Sequence, residues 1–348
     1  MLRLTYLKCL FVMILVAVIF KNIRSWFHCT TQKQKMTSSE RELCQLTSQN
    51  DVRNRSITKH VDITKIIIMA TYRSGSTFLS QLFVQNPNVF YAFEPLALIQ
   101  KWKNRDLIQK HGPTVLREML NCDIGMLSYM TPGEHKWVFR YGHFNSTFED
   151  TYQICKSRKI KVVKIISLDN LENLSSHFGN DTAILLLVRD PRGIFNSRMH
   201  LYDEHPKNIT AMENRLNKMR HTCLNFVTNL KFLEKMNKLP RHEQASRPLF
   251  KQIIYEEVAN NPIIKSKAIY RELNIDFDEH ISEWIHNYTN YIGGLNDKEI
   301  RNPVSTKRNS RITARKWLHQ LEKSQIYDLQ NITECAEVID ILKYEPVF

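Results

Sequence analysis

The sequence predicts an α/β fold, a mostly parallel sheet flanked by helices, and three observations support it. Short β-branched runs alternate with helical patterns along residues 62–348, as they do in parallel sheets. Residues 66–84 read as a strand, a polar loop with one glycine, and an amphipathic stretch, which is a P-loop-like arrangement. Another apolar run ends in an Arg-Asp-Pro turn at 189–191, where proline suits the first turn of a helix.

Five buried strands are predicted, because each is a short apolar run rich in isoleucine, valine or leucine; they are residues 66–70, 89–92, 161–166, 184–188 and 250–255. Apolar periodicity and proline starts predict helices between them, at residues 77–85, 96–102, 113–120, 171–177, 191–200, 212–236 and 262–273. Ligands of such sheets bind beyond the carboxyl ends of the strands. The loops after residues 70 and 188 therefore mark the expected site.

The N-terminus carries an apolar segment at residues 9–20 with basic residues on both sides. It is short for a full span and fits the apolar region of a signal peptide. However, no small-x-small cleavage site follows, and this absence favours an uncleaved signal anchor over a cleaved signal peptide or a buried helix. We expect a single-pass type II protein with four parts. They are a cytoplasmic tail at 1–8, a transmembrane anchor at 9–27, a polar stem at 28–61 and one folded luminal domain at 62–348.

Glycosylation motifs and cysteines also favour a luminal domain. N-x-S/T triplets without proline begin at residues 54, 145, 173, 180, 208, 287 and 331. In an oxidising compartment, disulfides would form among Cys29, Cys44, Cys122, Cys155, Cys223 and Cys335. The pairing stays open, and isolated buried thiols are the alternative.

The chain has a net charge of +14, which suits a nucleic acid, a membrane surface or a polyanionic substrate. No zinc-finger, basic-zipper or RNA-binding signature is present, so we expect a nucleotide together with an anionic polymer and no nucleic-acid partner. No Cys/His cluster suggests a metal. Four basic residues lie close together in the sequence, namely Lys156, Arg158, Lys159 and Lys161. They could line a binding track for an anionic glycan, or they could belong to a charged surface strand.

The loop after the first strand reads TYRSGST, residues 71–77. Backbone N–H groups at the start of the following helix attract an anion. Arg73 adds a planar cationic fork, and hydroxyl donors come from Ser74, Ser76 and Thr77. The GxxxxGK[ST] pattern of a Walker A motif is absent, so the phosphate ligand is of a different kind.

The second loop lies in ILLLVRDPRGIFNSR, residues 184–198. Arg189 and Ser197 could hold a second phosphate from two sides. The alternative is a structural turn in which Asp190 caps the helix and Arg192 is solvated.

TYRSGSTFL together with VRDPRGIFNSR resembles the two donor-binding motifs of the Golgi carbohydrate 6-O-sulfotransferases, which act on galactose, N-acetylgalactosamine or N-acetylglucosamine. Further matches are FEPL at 93–96, IIYEEVANNP at 253–262, KRNSRITARKWLHQL at 307–321, Cys335 and LKYEPV at 342–347. The resemblance covers roughly 62–348. It implies the sulfotransferase fold and a Golgi membrane location. The co-substrate would be 3′-phosphoadenosine 5′-phosphosulfate (PAPS), and no metal would be needed. The acceptor would be the C6 hydroxyl of a sugar in a glycosaminoglycan or glycoprotein glycan.

By the same resemblance, the 5′-phosphosulfate would be held by Arg73, Ser74, Gly75, Ser76, Thr77 and Phe78, and the 3′-phosphate by Arg189 and Ser197. A basic C-terminal segment would close over the nucleotide with Arg308 and Ser310 nearest, or else form a solvated helix face. Cytosolic relatives have a lysine in the first loop. Because arginine keeps its proton, Arg73 should stabilise charge on the leaving phosphate rather than act as an acid.

Sulfuryl transfer needs a base for the acceptor hydroxyl, and Glu94 matches the position usually proposed in the family. The alternative is that Glu94 pairs with a loop arginine; His143 and His200 are competing bases. Tyr255 is interpreted as packing and Glu256 as a structural hydrogen-bonding carboxylate.

Two other function classes stay open. A P-loop kinase or other nucleotide phosphotransferase would need a Walker lysine and an aspartate for magnesium. A non-catalytic membrane-anchored glycan-binding protein would leave both donor-type loops without a role. The stem is short, so retention by oligomerisation, as a homodimer, is a further expectation.

Overall fold

A computed structural model describes residues 62–97, 105–123, 132–141, 147–200, 209–292, 305–345 and 347. Five strands form one sheet in the order β2-β3-β1-β4-β5 with every pairing parallel. They are β1 (Lys65–Met69), β2 (Val89–Phe93), β3 (Ile160–Ile165), β4 (Thr182–Val188) and β5 (Leu249–Ile254). All five predicted strands are confirmed, with ends shifted by at most two residues.

Helices cover both faces of this sheet. In chain order they are α1 (Ser76–Val84), α2 (Arg105–Leu120), α3 (Pro132–Val138), α4 (Phe148–Ser157), α5 (Leu171–Ser175), α6 (Pro191–Met199), α7 (Ile209–Asn237), α8 (Arg241–Gln244), α9 (Tyr255–Asn260), α10 (Pro262–Glu272), α11 (Glu279–Thr289), α12 (Ser310–Arg315), α13 (Trp317–Gln320), α14 (Lys323–Gln330) and α15 (Thr333–Ile341).

Alternate residues of each strand belong to two separate apolar layers. Ile66 and Ile68 of β1 pack with α1 and α9–α12, whereas Ile67 and Met69 pack with α2, α5–α7, α14 and α15. Because both faces of the sheet are buried at its centre, β1 and β4 read as nearly continuous apolar runs, whereas β5, at the edge, contains Lys251 and Gln252 and is only partly buried. The apolar runs made the strands visible in the sequence.

The helix predicted at 113–120 begins earlier, at Arg105, and Pro113 lies inside it. Proline removes the hydrogen bond to the carbonyl four residues before it. Here the Asn173 side chain donates to that carbonyl, on Gln109, at 3.0 Å, which accounts for the tolerance of an internal proline. Of the helix predicted at 96–102, the described part shows one turn at 95–97. Most of the short helices in 132–157 and 279–341 were not predicted.

Disulfides connect Cys122 with Cys155 and Cys223 with Cys335, so these four cysteines are not isolated thiols. Cys29 and Cys44 lie outside the described residues, as do His143 and the predicted anchor and stem. Within the described part of the chain, no helix combines the length and apolar character needed to cross a membrane. All described residues belong to one compact unit, Val61–Phe348.

Candidate active site

A cavity of about 350 Å³ opens at the carboxyl ends of β1 to β4. Most of the predicted site residues line it, namely Arg73, Gly75, Ser76, Thr77, Phe78, Glu94, Arg189, Ser197, His200, Arg308 and Ser310. The basic residues 156–161 do not, because they lie at the opposite edge, around the start of β3. The predicted glycan track is therefore not continuous with this cavity.

The loop from β1 to α1 depends on a glycine for its shape. Gly75 has φ +92°, and a Cβ there would lie 2.3 Å from the Tyr255 ring, so both the backbone and the space exclude a side chain. No side chain caps the N-terminus of α1, which leaves its first N–H groups available to an anion. The Ser74 hydroxyl instead donates to the Thr71 carbonyl at 2.8 Å and stabilises the loop.

Arg73 joins the two predicted phosphate loops. Its Nε donates to the Ser197 hydroxyl at 3.0 Å, and its own carbonyl accepts from the Arg189 guanidinium at 3.0 Å. Arg73 has a left-handed backbone, φ 71°, which costs roughly 1–2 kcal/mol for a residue with a Cβ. These contacts hold that conformation, and they confirm that the loops after β1 and β4 meet at one edge of the sheet.

The N-terminus of α6 already has an acidic cap. The Asp190 carboxylate accepts from the Arg192 backbone N–H at 2.8 Å and forms an ion pair with the Arg192 guanidinium at 2.8 Å. The cap that belonged to the alternative, structural interpretation is therefore present, but Arg192 is buried rather than solvated, and it also donates to the side chain of Gln330. Any anion at this second loop must be bound by Arg189 and Ser197 instead of the helix end.

Arg189 lies over the ring of Tyr255, with its Cζ 4.3 Å from the ring centre, and 3.9 Å from the Glu256 carboxylate. Its Nε is buried and has no hydrogen-bond partner among the described residues. Glu256 accepts hydrogen bonds from the Asp190 backbone and, at 2.6 Å, from the Tyr344 hydroxyl. These contacts favour the structural interpretation of Glu256, while the Arg189 side chain lines the cavity.

Glu94 pairs with a lysine that the sequence analysis did not single out. In the ladder Phe93 is opposite Lys164, and the Glu94 N–H donates to the Lys164 carbonyl at 2.9 Å. The Lys164 ammonium forms an ion pair with the Glu94 carboxylate, so the carboxylate's partner is a strand lysine rather than a loop arginine. Burial lowers the pKa of Lys164 to about 8, although the Glu94 charge opposes that shift. The sequence held one signal that could have identified Lys164, namely a lysine within the apolar run IKVVKI at residues 160–165.

A pH-dependent stability follows from Lys164. Its pKa is about 8 in the folded protein against 10.5 ordinarily, so between those values the unfolded chain binds more protons. The free energy of unfolding should rise with pH across that window, by at most about 1.4 kcal/mol per pH unit.

Denaturant titrations of the wild type and Lys164→Met at several pH values from 8 to 10 test this. The wild type should gain stability relative to the variant as pH rises. Parallel curves for the two proteins would show that Lys164 keeps an ordinary pKa.

The cavity is strongly cationic. Among the described residues that line it, Glu94 is the one carboxylate, whereas cations come from Arg73, Arg140, Lys164, Arg189, Arg308 and Lys316. Burial, reinforced by the charges of Arg308 and Arg189, lowers the pKa of Arg73. A bound polyanion would relieve this repulsion. No group of three or more potential metal ligands occurs in the described part of the chain.

The C-terminal segment packs against the site instead of forming a solvated face. The Arg308 N–H donates to the Tyr288 carbonyl at 2.8 Å, and Arg308 lines the cavity. The Ser310 hydroxyl donates to the Ala259 carbonyl at 2.6 Å, so it anchors the segment. His200 lies at the rim with its Nδ1 2.9 Å from the Asn196 carbonyl oxygen.

Several known proteins are similar to this chain. Residues 65–279 match the model of the sulfotransferase family. Carbohydrate sulfotransferase 1 of Danio rerio is 27% identical over 82% of this chain and 78% of that protein. Carbohydrate sulfotransferase 4 of Mus musculus is 25% identical over 80% of this chain and 81% of that protein. Among solved structures, the sulfotransferase domain of the Synechococcus PCC 7002 olefin synthase has a TM-score of 0.47 and 18% identity, covering 83% of this chain and 98% of that chain.

Proposed function

The chain belongs to the sulfotransferase family, and from that premise we propose that it transfers the sulfuryl group of PAPS to a sugar hydroxyl. The names of the similar proteins, carbohydrate sulfotransferases, support a sugar as acceptor. The observation that carries the proposal is a strongly cationic cavity with one carboxylate, Glu94, among its described lining residues, to which the two phosphate-type loops contribute Arg73 and Arg189.

The donor side of this cavity fits a nucleotide with anionic groups at both ends. The N-terminus of α1 has no side-chain cap, and the cations Arg73 and Arg189 line the cavity beside it. PAPS would supply an activated sulfuryl group. Its 3′-phosphate would contact Arg189 and Ser197, and Arg308 would close the cavity. Its 5′-phosphosulfate would contact the residues of the first loop, Arg73, Gly75, Ser76, Thr77 and Phe78.

Glu94 is the proposed base for the acceptor hydroxyl. Its backbone is left-handed, φ 44°, which is unusual for a residue with a Cβ and is found where a site fixes a side chain. The Lys164 ammonium forms an ion pair with the carboxylate and holds it at the cavity wall. Arg73 is placed to stabilise the negative charge that develops on the leaving phosphate.

We also propose the acceptor position and the location. The resemblance of the motifs favours C6 of galactose, N-acetylgalactosamine or N-acetylglucosamine, on a glycosaminoglycan or glycoprotein glycan. The apolar N-terminal segment and the N-x-S/T triplets favour a type II Golgi membrane protein with a luminal catalytic domain, retained as a homodimer. The two disulfides of the folded unit are compatible with an oxidising compartment.

Titration with adenosine 3′,5′-bisphosphate separates this function from its alternatives. A sulfotransferase should bind this nucleotide and should transfer labelled sulfate from PAPS to a glycan. A P-loop kinase would instead prefer ATP with magnesium, and a glycan-binding protein would bind neither nucleotide. Binding of ATP with magnesium in preference to the bisphosphate would reject the proposed function.

Arg189→Ala should weaken binding of adenosine 3′,5′-bisphosphate about tenfold to a hundredfold. The reason is that a hydrogen bond to a charged group contributes about 1.5–3 kcal/mol. Isothermal titration calorimetry measures the change. The matched control is Arg220→Ala, which removes an arginine whose side chain is 57% exposed and pairs with Glu334. Unchanged affinity in a folded Arg189→Ala protein would mean that the second loop is only a structural turn.

A further inference from the structure

Arg140 lies at the β2 end of the cavity, against two aromatic rings that are inclined at 75° to each other with their centres 5.6 Å apart. Its Cζ is 3.7 Å from the ring centre of Phe93 and 3.5 Å from that of Trp137. Rings inclined in this way do not sandwich the planar guanidinium; they cover part of its surface but accept no ordinary hydrogen bond, so its N–H groups still need acceptors.

No described residue accepts those N–H groups. Arg140 has neither a hydrogen bond nor an ion pair within the described part of the chain, and its Nε is buried. Glu94 is close enough to act on its charge, but that carboxylate pairs with Lys164. A cation partly removed from water without an acceptor is costly, and burial lowers its pKa. Arg140 therefore meets the requirements of a site for an external anion.

The position of Arg140 separates it from the phosphate loops. The strand order is β2-β3-β1-β4, and neighbouring strands lie about 4.8 Å apart. The end of β2 is therefore about 10 Å from that of β1 and about 14 Å from that of β4. Lys164, at the end of β3, feels the charge of both Arg140 and Arg73. Lys164 thus lies between the donor loops and Arg140, and Glu94, which directly follows Phe93, lies beside Arg140. Arg140 is therefore on the side of the base that faces away from the donor loops, which is the acceptor side.

Trp137 adds a surface for a sugar ring. Its side chain lies in the cavity wall and Trp137 is 44% exposed, although one face contacts Arg140. An exposed indole offers a flat apolar surface and one N–H donor, and the C–H face of a pyranose can stack on it. Tyr141, whose ring is 5.3 Å from that of Phe93, extends the same wall.

We propose that Trp137, Arg140 and Tyr141 form an acceptor subsite that selects glycans carrying an anionic group on the sugar next to the accepting one. This inference rests on the proposed function and names its substrate class. The shared chemistry is an oxyanion, a sulfate ester or a carboxylate, because either accepts two parallel N–H bonds from a guanidinium edge. A neutral glycan would leave the guanidinium edge without a charged acceptor.

Three oligosaccharides with one common backbone test the proposal: a neutral form, a form with one sulfate ester per repeat, and a form with one carboxylate per repeat. For the wild type, kcat/KM with PAPS should be about tenfold to a hundredfold higher for at least one anionic form than for the neutral form. The anionic form that is preferred identifies the natural group. In Arg140→Gln this ratio should fall to about one, whereas Arg271→Gln, which changes an exposed arginine of α10, should keep the wild-type ratio.

Binding of adenosine 3′,5′-bisphosphate keeps the two proposals distinguishable. A wild type that binds the bisphosphate and transfers sulfate equally well to all three acceptors overturns the subsite alone. A wild type that binds no bisphosphate and sulfates no glycan rejects the proposed function itself. If Arg140→Gln loses bisphosphate binding through misfolding, Trp137→Ala replaces it, since that ring is exposed. Its KM for the preferred anionic acceptor should rise at least about tenfold, and an unchanged KM overturns the subsite.

Discussion

Glu94→Gln should lose the transfer rate while keeping the affinity for the nucleotide. If Glu94 takes the acceptor proton, its removal costs about 10²–10⁴-fold in kcat, as loss of a general base usually does. Glutamine has nearly the same shape and still accepts a hydrogen bond from the Lys164 ammonium, so the local packing should survive. The loss should appear in kcat and not in donor binding, because the carboxylate acts in the transition state and not on the resting nucleotide.

Single-turnover transfer from labelled PAPS measures the rate, and calorimetry with adenosine 3′,5′-bisphosphate measures the affinity. Glu257→Gln is the matched control, since its carboxylate is half exposed and pairs with Lys265 outside the cavity. A near-normal kcat in Glu94→Gln would reject the assignment and direct attention to His200 at the cavity rim or to His143. A variant that does not fold would instead indicate that Glu94 is chiefly the buried partner of Lys164.

Removing the disulfide between Cys223 and Cys335 should produce the largest loss of stability. The two cysteines are fully buried and 112 residues apart. Closing a loop of that length restricts the unfolded chain by up to about 5 kcal/mol in the chain-entropy account. The bond joins α7 to α15, so it connects the C-terminal helix to the layer that packs behind α6 and the second phosphate loop. The expected result for Cys223→Ala/Cys335→Ala is a large fall in the free energy of unfolding, measured by urea titration.

The second disulfide supplies the comparison. Cys122 and Cys155 are only 33 residues apart, so Cys122→Ala/Cys155→Ala should cost about 1 kcal/mol less in the same account. A smaller loss for the Cys223–Cys335 pair than for the Cys122–Cys155 pair would show that native packing, rather than loop length, sets the stabilisation.

The sequence by itself determined the sheet and the donor loops. All five strands were predicted because each contains a short, mainly apolar run, and this pattern is strongest in β1 and β4, where both faces of the sheet are buried. The contact between Arg73 and Arg189 followed from one rule, that the carboxyl ends of parallel strands meet at one edge. The cap formed by Asp190 was equally visible, since a carboxylate directly before a proline-initiated helix has a local acceptor role.

The tertiary structure alone decided which groups surround the base and what the cavity offers an acceptor. Lys164 reaches Glu94 because the β2–β3 register places Phe93 opposite it, and register between strands 70 residues apart has no local signal. The burial of Arg192 depends on a C-terminal helix that packs beside it. Arg140 becomes an anion site only when Phe93, from β2, covers one face of its guanidinium. Local sequence patterns indicate secondary-structure propensity and burial. These contacts, in contrast, form between segments that are distant in the sequence and come together only when the whole core packs.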